Sequence, residues 1–416
     1  MGLQKLWALP VMVLVLSASG SVADSSRVAA DPDTPAAGDP GVPGAVLVLD
    51  EAGVPLRINA ASVTTGTNHT CGLTPAGRAY CWGAGEDGQL GNGSTSDRTT
   101  PMAVSGKEKY TMISAGGAHT CAVTDKGAAY CWGKGDAGQL GNGSTEGSTK
   151  PVKVSGDHVF VEISAGENHT CALTDAGAAY CWGSGQNGKL GNGSNRQALE
   201  PTPVAGDHVF STISAGGYHT CAVANDGVAF CWGTASYGRL GAGEGVTTNQ
   251  STPVEVALVK NFVSISAGSS TTCGITDGDI AYCWGRNNGG QLGDGTQEDR
   301  WLPVRVTGGY RFTQIATAYR HTCAVTDNSK IYCWGLESWG RMGTGTIRNM
   351  DKPELEVTGN HQFESVAVAT NHSCGVTLRG ELYCWGRNHK GQLGIGSTVT
   401  SRNTPGLVGR RSAADD

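Results

Sequence analysis

Fourteen cysteines are the side chains of this 416-residue chain best suited to chemistry, and their spacing bears on whether they bind metal or form disulfides. They form seven pairs in which the second cysteine follows the first by ten positions and begins a Cys-Trp-Gly tripeptide. The pairs are Cys71 with Cys81, Cys121 with Cys131, Cys171 with Cys181, Cys221 with Cys231, Cys273 with Cys283, Cys323 with Cys333, and Cys374 with Cys384. An even number at fixed spacing is what a disulfide framework requires, so we predict seven disulfides that staple the fold.

Histidine is the second reactive residue with a fixed position, two residues before the first cysteine of six pairs. These histidines are His69, His119, His169, His219, His321 and His372, while the fifth repeat has Thr271. A zinc site built from one histidine and one cysteine pair would have only three ligands at an unusual spacing, and no repeat adds a unique acid and nucleophile. We interpret the histidines as structural, hydrogen-bonded between repeats, and predict no metal, no cofactor, no catalytic residue and no enzymatic activity.

The cysteine pairs divide the chain into a repeat. The first cysteines of successive pairs lie 50, 50, 50, 52, 50 and 51 residues apart, which is long enough for one small sheet per repeat. The 64 glycines, about twice the usual share, suit many short strands joined by tight turns. We therefore read a single repeat domain over residues 45–409.

The third repeat illustrates the predicted local structure. Its residues 163–166, 168–174 and 178–183 read as three strands, with a hairpin loop at residues 175–177. That loop places Cys171 opposite Cys181 in a non-hydrogen-bonded pair, where Cα atoms lie roughly 4.5 Å apart, at the short end of disulfide geometry. Closing such a loop constrains the unfolded chain by about 3 kcal/mol in the entropic model.

Both faces of this hairpin carry side chains that favour burial. Alternation puts Tyr180 and Trp182 on one face and Cys171 and Leu173 on the other. Seven such sheets are best covered when they stack radially, so we predict an all-β, seven-bladed propeller with one hairpin disulfide per blade. An open solenoid or separate modules are the alternatives, but a closed ring needs no capping repeats.

Ring closure is expected to use a strand from one terminus to complete a blade built mostly by the other. Residues 55–58 and 405–408 both resemble the internal segment 151–154, and the sequence does not choose between them. A hairpin is predicted over residues 46–58, before the repeats begin.

The N-terminus has the features of an export signal. Lys5 precedes an apolar run over residues 6–16 and small residues at Ser21 and Ala23, so we predict a signal peptide over residues 1–23, with an uncleaved anchor as the alternative. Residues 24–44 read as a flexible Pro/Ala/Gly linker and residues 410–416 as a charged tail. Export also explains the cysteines, which predicts a secreted or cell-envelope protein with no integral membrane segment after cleavage. The net charge of −6 makes nucleic acid an unexpected partner, and we expect a monomer.

The repeat resembles a known family. The segment 181–193, preceded by Ser164-Ala165-Gly166 and His169, is similar to the repeat of the regulator of chromosome condensation family, and the match covers nearly all of residues 54–409. The resemblance implies a seven-bladed propeller. It leaves function open, because the family includes nuclear exchange factors for a small GTPase, a secreted bacterial inhibitor of β-lactamase and many exported proteins.

Positions that differ between repeats are the candidates for binding, because scaffold residues must recur. Two windows vary, one just before the histidine and one after Trp-Gly. They supply the predicted binding residues Tyr218, Tyr237, Tyr319, Arg320 and Trp339. The alternative is that these aromatic side chains only pack against neighbouring loops.

We therefore predict a non-enzymatic exported propeller that binds a protein partner of unknown identity through the loops of one face. Two alternatives remain from the resemblance: a guanine-nucleotide exchange factor for a small GTPase, and a secreted enzyme inhibitor similar to the β-lactamase inhibitor. A polysaccharide lyase or hydrolase is a third, for which the sequence offers no paired acids at unique positions.

Overall fold

A computed structural model describes residues 46–47 and 62–411 of the chain. Seven antiparallel sheets follow one another along residues 64–407, and each packs against the next as the blades of a propeller. Within each blade the strands are hydrogen-bonded in sequence order. The predicted all-β, seven-bladed architecture is confirmed. The predicted signal peptide, the linker at 24–44 and most of the hairpin at 46–58 lie outside the described residues.

The strands have the same position in every blade. The first strands are Thr64–Thr65, Tyr110–Ala115, Phe160–Ala165, Phe210–Ala215, Phe262–Ala267, Phe312–Thr317 and Phe363–Val368. The second strands are His69–Leu73, His119–Thr124, His169–Thr174, His219–Ala224, Thr271–Thr276, His321–Thr326 and His372–Thr377. The third strands are Ala79–Gly83, Ala129–Gly133, Ala179–Gly183, Ala229–Gly233, Ala281–Gly285, Ile331–Gly335 and Leu382–Arg387.

The outer strands are less uniform. Six blades have one, at Arg98–Ala103, Ser148–Lys153, Ala198–Pro203, Gln250–Glu255, Arg300–Arg305 and Ser401–Leu407. The sixth blade instead has two isolated bridges, Tyr332 with Glu356 and Gly335 with Met350. Short 3-10 turns occur at Gln186–Gly188 and Ser236–Gly238.

The disulfide hairpins have the predicted register. In the third blade Cys171 lies opposite Cys181, and the amide of Gly177 closes the turn on the carbonyl of Thr174 at 2.9 Å. Gly177 adopts φ 77°, the left-handed conformation that a glycine tolerates best.

All seven predicted cysteine pairs are bonded, with Cα atoms 4.0 to 4.1 Å apart. The disulfides join Cys71 to Cys81, Cys121 to Cys131, Cys171 to Cys181, Cys221 to Cys231, Cys273 to Cys283, Cys323 to Cys333, and Cys374 to Cys384. The Cα separation is slightly shorter than the expected value of roughly 4.5 Å for a non-hydrogen-bonded pair. The prediction of one staple per blade is confirmed for every pair.

The hydrophobic core lies between blades. The cysteine face of one blade packs on the tryptophan face of the next, as where Cys171 and Leu173 belong to one cluster with Phe210 and Trp232. Each of the seven tryptophans that follow a cysteine is fully buried. This packing explains why both faces of the hairpin are apolar, since each sheet is covered on both sides.

Ring closure differs from the expectation. Residues 363–407 supply all four strands of the seventh blade, and segment 405–407 lies in its outer strand. The first and seventh blades meet through the same packing as other neighbours, with Trp82 clustered against Cys374 and Cys384. The expected strand exchange between termini is therefore wrong, because contiguous blades already bury both terminal faces. Beyond the ring, Val46–Leu47 pairs with Arg410–Arg411.

Candidate functional site

The two variable windows lie at the same end of the propeller. The turn between the first and second strands and the loop between the third and outer strands both emerge there, because His169 pairs with Gly183 across the hairpin. We call this end, formed by those turns and loops in every blade, the loop face. All five predicted binding residues lie on it.

A repeated hydrogen-bond network supports the loop face from below. Between the third and fourth blades, Trp232 Nε1 and Thr220 Oγ1 both donate to the carbonyl of Lys189, at 3.0 and 2.8 Å. His169 Nε2 lies 2.8 Å from the same Thr220 hydroxyl. Since that hydroxyl donates its one proton to the carbonyl, His169 must donate from Nε2. These hydrogen bonds hold the loop of the third blade that contains Lys189 against the fourth blade.

The same network occurs around the ring, including the junction of the seventh and first blades. There Trp82 Nε1 and Thr70 Oγ1 donate to the carbonyl of Gln392, and His372 Nε2 contacts Thr70 at 2.8 Å. At the junction of the fifth and sixth blades, where Thr271 replaces the histidine, Thr322 Oγ1 instead contacts Thr317 Oγ1 of its own sixth blade at 2.9 Å. The network therefore closes the ring without a covalent link.

Burial keeps these histidines neutral. It lowers the pKa of His69, His119 and His372 to about 3, and it lowers the pKa of His169, His219 and His321 well below the ordinary value. Each side chain is fully buried and bonded to a hydroxyl of the next blade. Their interpretation as structural residues bonded between repeats is confirmed.

Above this network, arginine and tyrosine side chains alternate across the fourth and fifth blades. The guanidinium carbon of Arg239 lies 5.7 Å from the ring centre of Tyr218 and 5.6 Å from that of Tyr237. The guanidinium carbon of Arg286, in the fifth blade, lies 4.9 Å from the centre of the same Tyr237 ring. These distances are within the range of cation–π attraction.

The series continues into the sixth blade. The guanidinium of Arg320 lies 4.8 Å from the Tyr319 ring centre, and its Nη2 donates to the Tyr319 hydroxyl at 3.4 Å. This hydrogen bond and the charges of Arg320 and Arg286 lower the pKa of Tyr319. We call Tyr218, Arg239, Tyr237, Arg286, Tyr319 and Arg320 together the arginine–tyrosine ladder.

The structure thus brings together four of the five predicted binding residues. Trp339 lies apart from them, paired with Arg387 of the seventh blade at 5.0 Å. Tyr218, Tyr237 and Trp339 are 46%, 41% and 49% exposed, so the rings contact neighbouring loops and still present a surface to solvent.

Two of these aromatic residues have an uncommon backbone conformation. Tyr237 and Trp339 both adopt φ 64°, in the left-handed region. In four blades a glutamine two positions later accepts the amide of the equivalent loop residue, as where Gln89 Oε1 accepts from Asp87 at 2.9 Å. Arg239 and Arg341 replace that glutamine here and cannot accept a hydrogen bond. The loop therefore turns differently where a cation replaces the glutamine, and this includes the third blade, where Lys189 has that position and Asn187 adopts φ 63°.

These arginines are anchored in the neighbouring blade. Arg239 Nη1 donates to the carbonyl of Ser269 at 2.9 Å, and Arg341 Nη1 donates to that of Thr370 at 2.7 Å. Burial lowers the pKa of each guanidinium to about 10, so both are charged at neutral pH. A fixed positive charge therefore lies beneath each exposed aromatic loop.

The opposite part of the loop face is acidic. A cavity of about 590 Å³ between the first three blades is lined by Glu86, Asp87, Asp136 and Glu167. Lys134 Nζ lies 3.2 Å from the Asp136 carboxylate. Lys390, at the junction with the seventh blade, lies 3.1 Å from Glu86 and 3.3 Å from Asp97. We call the loop face of the first three blades, with Lys390, the acidic half.

The mouth of the central channel separates the two regions. It is a cavity of about 460 Å³ whose lining includes Tyr218 and Tyr319. Backbone hydrogen bonds run around it from blade to blade, as from Gly217 to the carbonyl of Gly268 at 3.1 Å. A Cβ on Gly216 would lie 2.2 Å from that carbonyl oxygen, so the bond requires glycine.

Alanine replaces this glycine in the last two blades, at Ala318 and Ala369. The inter-blade backbone bonds join the first six blades in succession, and among the described residues the series does not continue from the sixth blade to the seventh or from the seventh to the first. A Cβ at those positions prevents the close approach that the bond needs. The channel mouth therefore has fewer backbone hydrogen bonds between blades beside Tyr319 and Arg320.

Sequence reasoning did not identify Arg239, Arg286 and Arg387, which hold the exposed rings. Arg239 carried a usable signal, because it replaces glutamine in the recurrent Gly-Gln-Leu-Gly segment. Arg286 and Arg387 occur directly after Trp-Gly, at a position that varies between repeats. Their importance follows from contact with the loop of the preceding blade.

The described residues contain no group of three or more histidine, cysteine, aspartate or glutamate side chains arranged to hold a metal ion. In the same part of the chain, no helix is both long enough and apolar enough to cross a lipid bilayer.

Comparison with known families supports the repeat assignment. The model of the RCC1-like domain matches residues 149–414, and models of the regulator of chromosome condensation (RCC1) repeat match residues 76–123, 60–89 and 112–139. No curated protein sequence matches significantly.

Several solved structures share the fold. Human WBSCR16 has a TM-score of 0.70 at 22% identity over 77% of this chain and 87% of its own. Prp20p from Saccharomyces cerevisiae, whose structure was described with its binding properties to Gsp1p and histones, has a TM-score of 0.71 at 21% identity over 86% and 88%. The CRINKLY WD40 ectodomain of the Arabidopsis thaliana receptor kinase ACR4 has a TM-score of 0.52 at 18% identity over 79% and 97%. At these identities the likeness extends to the fold alone.

Proposed function

Because this chain belongs to the family of RCC1-like propellers, we propose that it is a non-enzymatic, exported scaffold that binds a protein partner through its loop face. Membership alone does not select this function, since one fold supports many activities. The proposal rests on the side chains by which this chain departs from its own repeat.

One observation carries the proposal: three large aromatic side chains, Tyr218, Tyr237 and Trp339, are between 41% and 49% exposed on the same face. Tyrosine and tryptophan are enriched at binding hot spots, where burial against a partner recovers their apolar area. Tyr237 and Trp339 are also held in a left-handed backbone conformation that costs free energy. The exposed rings are therefore presented on loops of a defined conformation, which favours a binding role.

The disulfides support the exported part of the proposal. All fourteen cysteines are paired, and disulfides persist in oxidising compartments outside the cytosol. They suggest an oxidising extracellular environment and fit the predicted signal peptide. The alternative of nucleotide exchange on a small GTPase would require contact with the reducing cytosol, which this cysteine pairing does not favour.

The non-enzymatic part rests on the use of the reactive side chains. The cysteines are consumed in disulfides, and the recurrent histidines bond between blades with their pKa values far below neutrality. A general base needs a pKa near the operating pH and access to a substrate, neither of which these buried histidines have.

Export is tested first, by intact-mass analysis of the native protein from culture supernatant and from cell lysate. We expect a supernatant species that begins near Asp24, has a mass 14 hydrogens below the reduced form, and is alkylated only after reduction. A full-length, fully alkylatable species found in the lysate alone would contradict the exported scaffold. It would favour the alternative function of guanine-nucleotide exchange on a small GTPase.

Partner binding is tested by affinity capture from the native secretome and cell envelope with tagged, oxidised full-length protein. The triple variant Y218S/Y237S/W339S should lose the captured partner. The matched control V159S/V209S changes side chains that are 52% and 47% exposed at the opposite end of the propeller, and it should retain the partner. Equal capture by both variants, or no specific partner with the unmodified protein, would contradict the proposal.

A further inference from the structure

The arginines of the loop face fall into two groups. Arg300 and Arg348 pair with the carboxylates of Asp294 and Glu354 at 2.9 and 2.8 Å, whereas, among the described residues, five others have no carboxylate partner. The five without a carboxylate partner belong to the fourth to seventh blades and are Arg239, Arg286, Arg320, Arg341 and Arg387. Within the residues that the structure describes, none has a carboxylate oxygen within the 4.0 Å of an ion pair. Their contacts are with aromatic rings, backbone carbonyls and, for Arg320, the hydroxyl of Tyr319.

Some of their hydrogen-bonding capacity is also unused. The Nε atoms of Arg320 and Arg341 are buried from solvent without a hydrogen-bond partner in the described part of the chain. A guanidinium stacked on a ring keeps its N–H groups at the edge of the plane, where they can form a bidentate pair with a carboxylate. Arg286 and Arg320 lie over rings in this way, with their guanidinium carbons 4.9 and 4.8 Å from the ring centres of Tyr237 and Tyr319.

We propose that the arginine–tyrosine ladder binds an acidic segment of a partner protein, with Arg286 and Arg320 pairing with its aspartate or glutamate carboxylates. This inference rests on the proposed function and specifies the chemistry of the partner. The rings would pack on the aliphatic parts of the segment, while the guanidinium edges neutralise its charge.

The extent of the ladder favours a short acidic segment over a long polyanion. The ladder occupies the fourth to sixth blades, and the same face carries Glu86, Asp87, Asp136 and Glu167 on the first three. The chain has a net charge of −6, so a nucleic acid that crossed the face would meet repulsion beyond the ladder. A second copy of this chain is disfavoured as the occupant, because two copies with a net charge of −6 each repel one another and the carboxylates of Glu86 and Asp136 are already paired with lysines.

The test measures binding of fluorescein-labelled deca-glutamate to the oxidised full-length protein by fluorescence anisotropy at several salt concentrations. Deca-lysine and a deca-thymidine oligonucleotide serve as probes of opposite charge and of a different polyanion. We expect deca-glutamate to bind with an affinity that falls as salt rises, and deca-lysine not to bind at the ladder.

Variants localise the interaction. R286Q and R320Q should each weaken deca-glutamate binding about tenfold, since a hydrogen-bonded charge pair is lost. R286K should weaken it less, because lysine keeps the charge but not the planar donor edge. The matched control is R311Q, which removes an equally charged side chain paired with Asp279 at the opposite end of the propeller, and it should bind as the unmodified protein does. Unchanged thermal unfolding and disulfide content show that each variant is folded.

Four results would overturn the inference. R311Q weakening binding as much as R286Q would show a non-specific charge effect. Tighter binding of deca-thymidine than of deca-glutamate would identify a nucleic-acid surface. Concentration-dependent dimers that R286Q abolishes would identify a second copy as the occupant. Native partner captured equally by R286Q/R320Q but lost by Y218S/Y237S/W339S would refute the acidic segment while leaving the proposed function intact.

Discussion

The acidic half and the arginine–tyrosine ladder share one scaffold and differ in how their charges are satisfied. In the acidic half, lysines lie close to the carboxylates, as Lys390 does to Glu86 at 3.1 Å and Lys134 to Asp136 at 3.2 Å. In the ladder, Arg286 and Arg320 lie over tyrosine rings, and among the described residues neither forms an ion pair with a carboxylate. The comparison indicates that Glu86 and Asp136 of the acidic half already have cationic partners, whereas Arg286 and Arg320 of the ladder have no ion-pair partner in the described part of the chain.

The same comparison applies to the backbone. In the first blade Gln89 accepts the amide of Asp87, and the loop keeps its ordinary turn. In the fourth blade Arg239 replaces the glutamine, its guanidinium reaches the next blade, and Tyr237 takes a left-handed φ. The change from glutamine to arginine therefore adds a cation and accompanies a different turn in the loop that presents Tyr237.

If both regions share one scaffold, damage to that scaffold should cost the same in each. Trp132 lies between the first two blades and Trp232 between the third and fourth, and both are fully buried and donate to a neighbouring carbonyl at 3.0 Å. We expect W132A and W232A each to lower the free energy of unfolding by about 3–5 kcal/mol, measured by denaturant titration. W132F and W232F serve where alanine prevents folding. If the loss of unfolding free energy differed by more than about 1 kcal/mol between the two sites, the two regions would not share an equally stable scaffold.

The buried histidines predict how stability depends on pH. They are neutral when folded because burial lowers their pKa, to about 3 for His119, while an unfolded histidine titrates near 6.5. The unfolded state therefore binds more protons between these values, so stability is complete above pH 6.5 and falls as the pH drops toward about 3. Replacing one histidine, as in H119N, should reduce the slope of the free energy of unfolding against pH by about 1.4 kcal/mol per pH unit. Denaturant titrations from about pH 7 to 4 measure this slope. An unchanged slope would contradict a neutral buried histidine.

The channel mouth offers a smaller, local test. G216A places a Cβ 2.2 Å from the Gly268 carbonyl oxygen and should break the backbone bond there, which we expect to cost about 1–3 kcal/mol in thermal unfolding. The matched reverse change, A318G, adds no clash and should alter stability by less than about 1 kcal/mol. Equal changes in stability from the two substitutions would contradict the distinction between blade junctions with and without this backbone hydrogen bond.

The smallest expected effect concerns the pairing in the acidic half. K390Q removes the partner of Glu86 and Asp97, and since these are surface ion pairs the stability should change by less than about 1 kcal/mol. Deca-glutamate binding should change less than about twofold, because Lys390 is outside the ladder. A loss of affinity as large as that of R286Q would extend the binding surface into the acidic half.

Much of the fold was predictable because its determinants are local. The separation of Cys171 and Cys181, together with a three-residue turn ending in Gly177, determines a hairpin register without reference to the rest of the chain. The apolar alternation on both faces then requires cover from neighbouring sheets. Ring closure was predicted less well, because the completeness of the seventh blade depends on where residues 401–407 pair in space.

The candidate site was predictable in part. Departures from the repeat identified Tyr218, Tyr237, Tyr319, Arg320 and Trp339, and the structure places them on one face; their role in binding stays a prediction.

Sequence alone determined the blade, its disulfide and its variable loops, since these follow from residue spacing within about fifty positions. Only the tertiary structure determines that the guanidinium of Arg286 lies over the Tyr237 ring. The same holds for the contact between Lys390 and Glu86, which are 304 positions apart. The physical reason is that such contacts cross from one blade to the next, where the partner of a side chain is set by the packing angle of two sheets and by the closure of the ring. The distribution of satisfied and unsatisfied charge on the loop face therefore exists only in the assembled propeller.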